Sequence, residues 1–195
     1  FFPMNPLFYY FNALSNKWFK NYYQAIESLT TGIDFVVDND LLLLEYYSSL
    51  GDTYNEIKDY GNSDNYFEQA LKIDSNNVIV LNNYAYYLSI RGEKLEKAKK
   101  MSYKANSLEA NNGTYQDTYA WVLYQQKNYP EAKVWINKAI ENDGYKSAVI
   151  LEHYGDILYK LGEIKNALDQ WRKALILDPE SDSLKQKIKD EKIYE

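Results

Sequence analysis

The chain is 195 residues long with a formal net charge of -6, which leaves no basic footprint for nucleic acid and opposes an anionic membrane surface. A hydrophobic content of 46% is enough for a core, and the lack of cysteine excludes a disulfide framework, a thiolate metal site and cysteine catalysis. Aromatic residues reach 16%, dominated by 21 tyrosines, each able to bury a ring at a packed interface while its hydroxyl stays at the surface.

In chain order, the first feature is FFPMNPLFYYF. It has no initiating Met, its apolar run is too short to span a bilayer, and no basic leader region precedes it. The chain is therefore expected to begin inside a longer protein. Asn21 to Val37, NYYQAIESLTTGIDFVV, reads as a helix. The following DNDLLLLEYYSSLGD predicts a long helix capped by Asp38 or Asp40. Its Leu41 to Leu44 run suits a core rather than a membrane. The acidic residues there do not form a calcium loop, because the loop glycine is missing and Val and Leu stand where ligands belong. GNS, NNG and NDG mark turns between helices. Asn112-Gly113-Thr114 matches a glycosylation sequon, a pattern common by chance. Pro130 fits the first turn of a helix. Leu151 to Pro179 predicts two amphipathic helices around a turn at Gly162-Glu163, with Pro179 as the stop. Large residues at Leu151, Tyr154, Leu158 and Trp171 alternate with small ones at Gly155, Ala167 and Ala174. The tail SDSLKQKIKDEKIYE is strongly charged, with Leu184, Ile188 and Ile193 on one face. It predicts a solvating helix over 182–193 that covers the last hairpin and reads as a true C-terminus.

The large-small pattern resembles the tetratricopeptide repeat, whose period is about 34 residues. Leu151, Tyr154, Gly155, Leu158, Ala167, Trp171, Ala174 and Pro179 look like its signature positions. The pattern recurs from Gly113, with Gln116 and Gly144 departing from it, and from Val78, with one extra residue in RGEKLEKA and Ser102 in place of an aromatic. It recurs again from Leu44 and, more weakly, from Pro6, where Asn12 and Asn16 stand at places that call for large apolar residues. The three small positions of every copy hold Gly, Ala or Ser: Ala13, Ala25, Gly32; Gly51, Ser63, Ala70; Ala85, Ala98, Ala105; Ala120, Ala132, Ala139; Gly155, Ala167, Ala174. These residue types are 33 of the chain's 195, so fifteen matches in fifteen lie far beyond chance. The phrasing is similar to that of long bacterial multi-repeat proteins. The resemblance implies an all-α, right-handed α-solenoid of about five helical hairpins plus a C-terminal capping helix, forming one domain over 1–195. Repeats are expected near 6–39, 44–77, 78–112, 113–147 and 148–181. The second copy starts four residues late, which predicts one extra helical turn in its first helix. The first copy is expected to be the most irregular.

The resemblance also implies a concave groove, lined by the first helix of each hairpin, that binds an extended peptide or a helix. In this register it would display Asn82, Asn83, Tyr86 and Ser89, then Asp117, Trp121, Tyr124 and Gln125, then Glu152, His153, Asp156, Tyr159 and Lys160. For Tyr86, Trp121 and Tyr124, packing between repeats competes with ligand contact. Relatives that clamp the C-terminal carboxylate of chaperone peptides use Lys, Arg and Asn at defined groove positions. Here Asn82, Tyr86, Asp117, Trp121, Glu152 and Asp156 stand at those positions, so that clamp is not expected. The expected ligand is instead a protein segment with Lys or Arg beside apolar or Pro residues, held by ion pairing and cation-π contact. No cofactor or metal is expected, because His153 is the sole histidine and no phosphate-binding glycine motif is present. A catalytic relay would have to be built around His153, with Asp156 three residues on. The principal reading is a protein-interaction scaffold without catalysis. The alternative is a self-association module that meets a second copy through the aromatic N-terminal end. Those aromatics are preferentially assigned to packing on a preceding repeat, because solenoid ends need polar caps. The compartment stays open between the cytoplasm and, with a signal removed, the periplasm or exterior.

Overall fold

The computed structural model describes residues 4–194, so Phe1 and Phe2 of the aromatic opening lie outside the described residues. Among the described residues the regular structure is entirely helical. The helices are α1 (Pro6–Trp18), α2 (Tyr22–Ile33), α3 (Asp40–Glu56), α4 (Tyr60–Ile73), α5 (Val78–Arg91) and α6 (Leu95–Leu108). They continue with α7 (Gly113–Gln125), α8 (Tyr129–Glu141), α9 (Ala148–Lys160), α10 (Ile164–Leu177) and α11 (Asp182–Asp190), with one 3-10 turn at Gly144–Lys146. Five successive helix pairs and a closing helix match the expected architecture. The described residues gather into two compact units that divide between Tyr84 and Ala85, inside α5.

All fifteen small positions of the repeat pattern are buried. The reason is visible at Gly155, where a Cβ would lie 2.3 Å from the Trp171 ring. A side chain there would push the two helices of the hairpin apart. The turns inside the hairpins repeat as strictly. Lys20, Lys58, Gly92, Lys127 and Gly162 each follow the first helix of their pair at the same register, and each has positive φ. That left-handed residue ends the helix and reverses the chain. Three of the five are lysines, which accept the conformation at some steric cost. The extra residue of the third pair is absorbed by a second left-handed residue, Lys94.

Several expectations are corrected. α2 stops at Ile33, well before Val37. α3 has the predicted extra turn, at 17 residues, but its cap is Asn39, whose side chain accepts from the Leu42 amide; Asp38 instead adopts positive φ in the preceding turn. α1 is a regular 13-residue helix capped by Asn5, not an irregular one. Its Asn12 and Asn16 are tolerated because they bond to each other at 2.8 Å and Ser28 donates to Asn12 at 2.8 Å. Gln116 departs from the pattern because it is a buried fastener: it donates to the Ala110 carbonyl at 2.7 Å and accepts from Asn142 at 3.0 Å. Gly144 departs because a Cβ would lie 2.4 Å from the Ala139 carbonyl oxygen.

The N-terminal unit packs Ala13, Ala25, Leu29, Tyr46 and Leu50 into one cluster, and Phe67 stacks on Tyr84 at 5.2 Å. Among the described residues, the C-terminal unit includes two further clusters. One joins Tyr119, Leu123, Ile136, Ile150 and Ile157 across α7, α8 and α9. The other joins Leu151, Leu158, Leu168, Trp171 and Leu184 across α9, α10 and α11. α11 therefore covers the last hairpin as expected, though it ends at Asp190, short of residue 193.

Candidate functional site: a stacked aromatic wall on a polar ladder

Within the C-terminal unit, the first helices α7 and α9 bring their predicted residues together. Asp117 stands one turn before Trp121 on α7, and both meet His153 of α9. Nδ1 of His153 lies 2.9 and 3.1 Å from the two carboxylate oxygens of Asp117. The Trp121 ring stacks on the imidazole at 3.9 Å between centroids and on Tyr124 at 4.5 Å. Tyr86 approaches the same imidazole at 6.4 Å. Burial by itself would lower the His153 pKa. The Asp117 carboxylate, through charge and hydrogen bond, together with Asp156 and Glu152, outweighs burial and raises it above the ordinary value. The aromatic face beside it also favours the cation.

A second polar contact lies one hairpin further on. Lys187 of α11 donates to Asp156 at 2.8 Å and to Glu152 at 2.7 Å. Asp156 also accepts from the Trp171 indole at 2.9 Å, and Ser183 donates to Glu152 at 3.2 Å. Burial pushes the Asp156 pKa up, against the opposing pull of Lys187 and His153. Lys187 lies 34 residues after His153, so the imidazole and the ammonium occupy equivalent places on α9 and α11. Each pairs with a carboxylate of the hairpin before it. This ladder escaped the sequence reading, which placed a surface histidine beside Asp156 and treated Lys187 as part of a solvated tail. The signal was available in the 34-residue spacing itself.

The predicted groove residues therefore divide. Asp117, His153 and Asp156 are buried and satisfied within the protein, and Glu152 is partly buried under Lys187. The carboxylates expected to line the groove along α7 and α9 are thus largely satisfied from inside. Tyr159 is half-buried against Trp171 at 5.8 Å. Asn82 and Asn83 belong to the N-terminal unit, where Asn82 is buried and donates to Asn83 at 3.4 Å. Trp121, Tyr124 and Gln125 remain half-exposed. They face an open cavity of about 550 Å³ that Ile90, Asp156, Lys160, Ile193 and Tyr194 also line. The Trp121 indole nitrogen is buried without an acceptor among the described residues. No cluster of three or more potential metal ligands occurs among the described residues, and none of their helices is long and apolar enough to cross a membrane.

A different surface marks the N-terminal unit. Leu7, Phe8, Phe11, Leu14 and Trp18 recur along one face of α1 and are all exposed, Trp18 at 84%. Phe8 is 60% exposed, whereas Tyr46, Val80, Tyr115 and Ile150, at the same register in the following hairpins, are at most 9% exposed.

Known proteins share these repeats. A family profile described as tetratricopeptide repeat matches residues 44–77, the span assigned above to the second copy, and another of the same description matches 66–100. The uncharacterized protein ycf37 of Pyropia yezoensis is 35% identical over 80 residues, which cover 40% of this chain and 44% of that protein. The chain thus aligns with less than half the length of that curated relative. Among solved structures, PilW, described as a widely conserved type IV pilus biogenesis factor, superimposes with a TM-score of 0.80 at 16% identity, covering 95% of this chain and 85% of its own. PilF of Pseudomonas aeruginosa gives 0.74 at 20% identity, covering 88% and 76%. A thermophilic repeat protein of Thermus thermophilus gives 0.76 at 13% identity, covering 95% and 98%. At these identities the likeness establishes the fold alone.

Proposed function

Because the chain is a tetratricopeptide-repeat protein, and such repeats as a class bind other proteins rather than catalyse reactions, we propose that it is an interaction scaffold that holds a protein segment against α7 and α9. The observation that carries this reading is the aromatic wall. Trp121 is held rigidly by His153 beneath it, and with Tyr124 it stays half-exposed beside an open cavity. Rigid aromatic rings with few rotamers to lose are effective anchors for a partner side chain. The wall takes an apolar or aromatic side chain as its main contact. A basic residue in the same segment gains less than the sequence alone suggests, because Asp117 and Asp156 already have internal partners. Catalysis finds no support at His153, whose ring is buried and engaged by Asp117 and Trp121.

The test is a pull-down from native extract with wild type and Trp121→Ala, both shown to be folded by circular dichroism. A partner captured by wild type and lost with the variant supports the groove. Identical capture by both removes it. Asp156→Lys is unsuitable as a groove variant, because it would strip Lys187 and Trp171 of their shared partner.

A second reading, self-association through the N-terminal unit, is favoured by the exposed apolar face of α1. Single-sided patches of this kind mark interaction surfaces. Light scattering behind size exclusion decides it: a mass that stays monomeric over a hundredfold range of concentration, on the order expected to expose weak dimers, removes this reading.

A further inference from the structure

α1 is apolar on two sides. Ala13 and Tyr10 face into their own hairpin and pack in the cluster of Leu29, Tyr46 and Leu50. At about 100° per residue, the opposite side gathers Leu7, Phe8, Phe11, Leu14 and Trp18, with Met4 just ahead of the helix, and Ser15 alone interrupts the run. All six apolar residues are exposed. A helix that is apolar all round is normally covered all round. Met4, Leu7, Phe11, Leu14 and Trp18 advance by alternating steps of three and four, the spacing of a seam that meets another helix. The only charged residue of α1, Lys17, lies off this stripe and donates to Ser49 at 3.3 Å and to Asp52 at 3.5 Å. Phe8, Phe11 and Trp18, at 60%, 62% and 84% exposure, offer on the order of 400 Å² of ring surface. Met4, Leu7 and Leu14 bring the stripe towards the roughly 800 Å² that each partner of a standard interface buries.

We infer that this chain forms a two-fold dimer in which α1 of one copy packs antiparallel on α1 of another. This rests on the self-association reading and specifies its surface and geometry. Inside the chain, the corresponding first-helix faces are covered by the second helix of the preceding hairpin, as Ile150 of α9 is by Ile136 and Ala139 of α8. A second copy cannot offer α10 in that way, because Leu184 of α11 already packs there against Leu168, Trp171 and Ala174. Its own α1 stripe is the surface that matches. Antiparallel pairing sets opposite ends of the two helix dipoles side by side. With the axis between Phe11 and Leu14, each Phe11 meets a Leu14 and each Trp18 meets a Leu7, so every large ring lies against a smaller branched side chain. A two-fold contact of this kind closes on itself and stops at two copies, and no charge on the stripe opposes it.

The test measures mass by light scattering and the dissociation constant by sedimentation equilibrium, on the full chain, for wild type, Phe11→Asp and Ile176→Asp. Wild type is expected to reach the mass of a dimer, and no higher, by about 100 μM. Phe11→Asp is expected to raise the dissociation constant about a thousand-fold, because a central ring is worth about thirty-fold and the two-fold axis counts each substitution twice. Phe11 is exposed in the single copy, so the circular dichroism of this variant is expected to match wild type. Ile176→Asp alters another exposed apolar residue, on α10, and is expected to dimerise as wild type does. Geometry is read with cysteine, which the chain lacks. An equimolar mixture of Leu7→Cys and Trp18→Cys is expected to form a disulfide between the two variants on mild oxidation, and each variant alone to form none. A wild type that stays monomeric at that concentration overturns the self-association reading and the inference with it. A dimer that survives Phe11→Asp, or is lost with Ile176→Asp, leaves self-association standing and overturns the α1 contact. Disulfides formed by either cysteine variant alone overturn the antiparallel geometry.

Discussion

The first and last hairpins share one packing code and differ in what covers their faces. In the α1/α2 hairpin, Ala13, Ala25 and Leu29 are fully buried, just as Ala167, Trp171 and Ala174 are in the α9/α10 hairpin. The helix-to-helix seam is thus equally well made in both. At the register of Phe8, however, the last hairpin has Ile150 at 6% exposure, and at the register of Phe11 it has His153 at 7%, against 60% and 62% in the first. In a repeat, the seam holds the two helices together, while the outer face of the first helix is complete only when something packs on it. Where that face is covered it has also acquired polar specificity, as the His153–Asp117 and Lys187–Glu152 pairs attest. Where it is open, on α1, it is simply apolar.

Substitutions that break the covered hairpin should cost most. Trp171→Ala empties the space against Gly155 and removes one of the donors to Asp156, so the C-terminal unit should lose about 3–5 kcal/mol in denaturant unfolding. Trp18→Ala, in the open hairpin, should change stability by less than about 0.5 kcal/mol. Lys187→Ala leaves Asp156 and Glu152 without their cation, at a cost of about 3 kcal/mol, and hydrogen exchange should show α11 detaching first. Ala139→Leu overpacks the α7/α8 seam by about 1–3 kcal/mol; an unchanged melting temperature would show the repeat register to be misplaced. Smaller still, Lys127→Gly should stabilise by up to about 1 kcal/mol, because glycine adopts the left-handed turn without steric cost.

The polar ladder adds a pH dependence that distinguishes the two ends. The His153 pKa is raised in the folded protein, so the native state binds its proton more tightly than the unfolded chain does. The stabilisation is fully present below the unfolded value of about 6.5 and is lost as pH rises through the higher folded value. Thermal unfolding of wild type should therefore weaken above neutrality, and His153→Gln should flatten that dependence. A wild-type profile identical to that of His153→Gln would show that the pair is not charged.

What the sequence disclosed follows from periodicity. Small residues at fixed spacing have no alternative to close helix packing, and for that reason the helical hairpins could be read in advance. The turn chemistry was partly hidden, since lysine at Lys20, Lys58 and Lys127 gives no sign of positive φ, whereas Gly162 does. Asn39 could not be chosen over Asp38 or Asp40 as a cap, because Asn and Asp both cap well and only the backbone decides. At the candidate site, register put Trp121 and Tyr124 on α7, where both are half-exposed. Asp117, His153 and Asp156 were placed on the right helices but given solvent they do not have. A charge at a repeat interface looks like a surface charge until the partner on the next hairpin is identified, and Lys187 was that unidentified partner.

The most direct measurement is site-specific photo-crosslinking in native extract. A benzoylphenylalanine replaces Gln125 beside the cavity or, as control, Lys165 on the exposed side of α10. The account predicts a discrete adduct from position 125 that disappears when Trp121→Ala is added, and no matching adduct from position 165. An adduct that survives loss of Trp121, or that forms equally from position 165, would contradict a binding site on the α7 and α9 face.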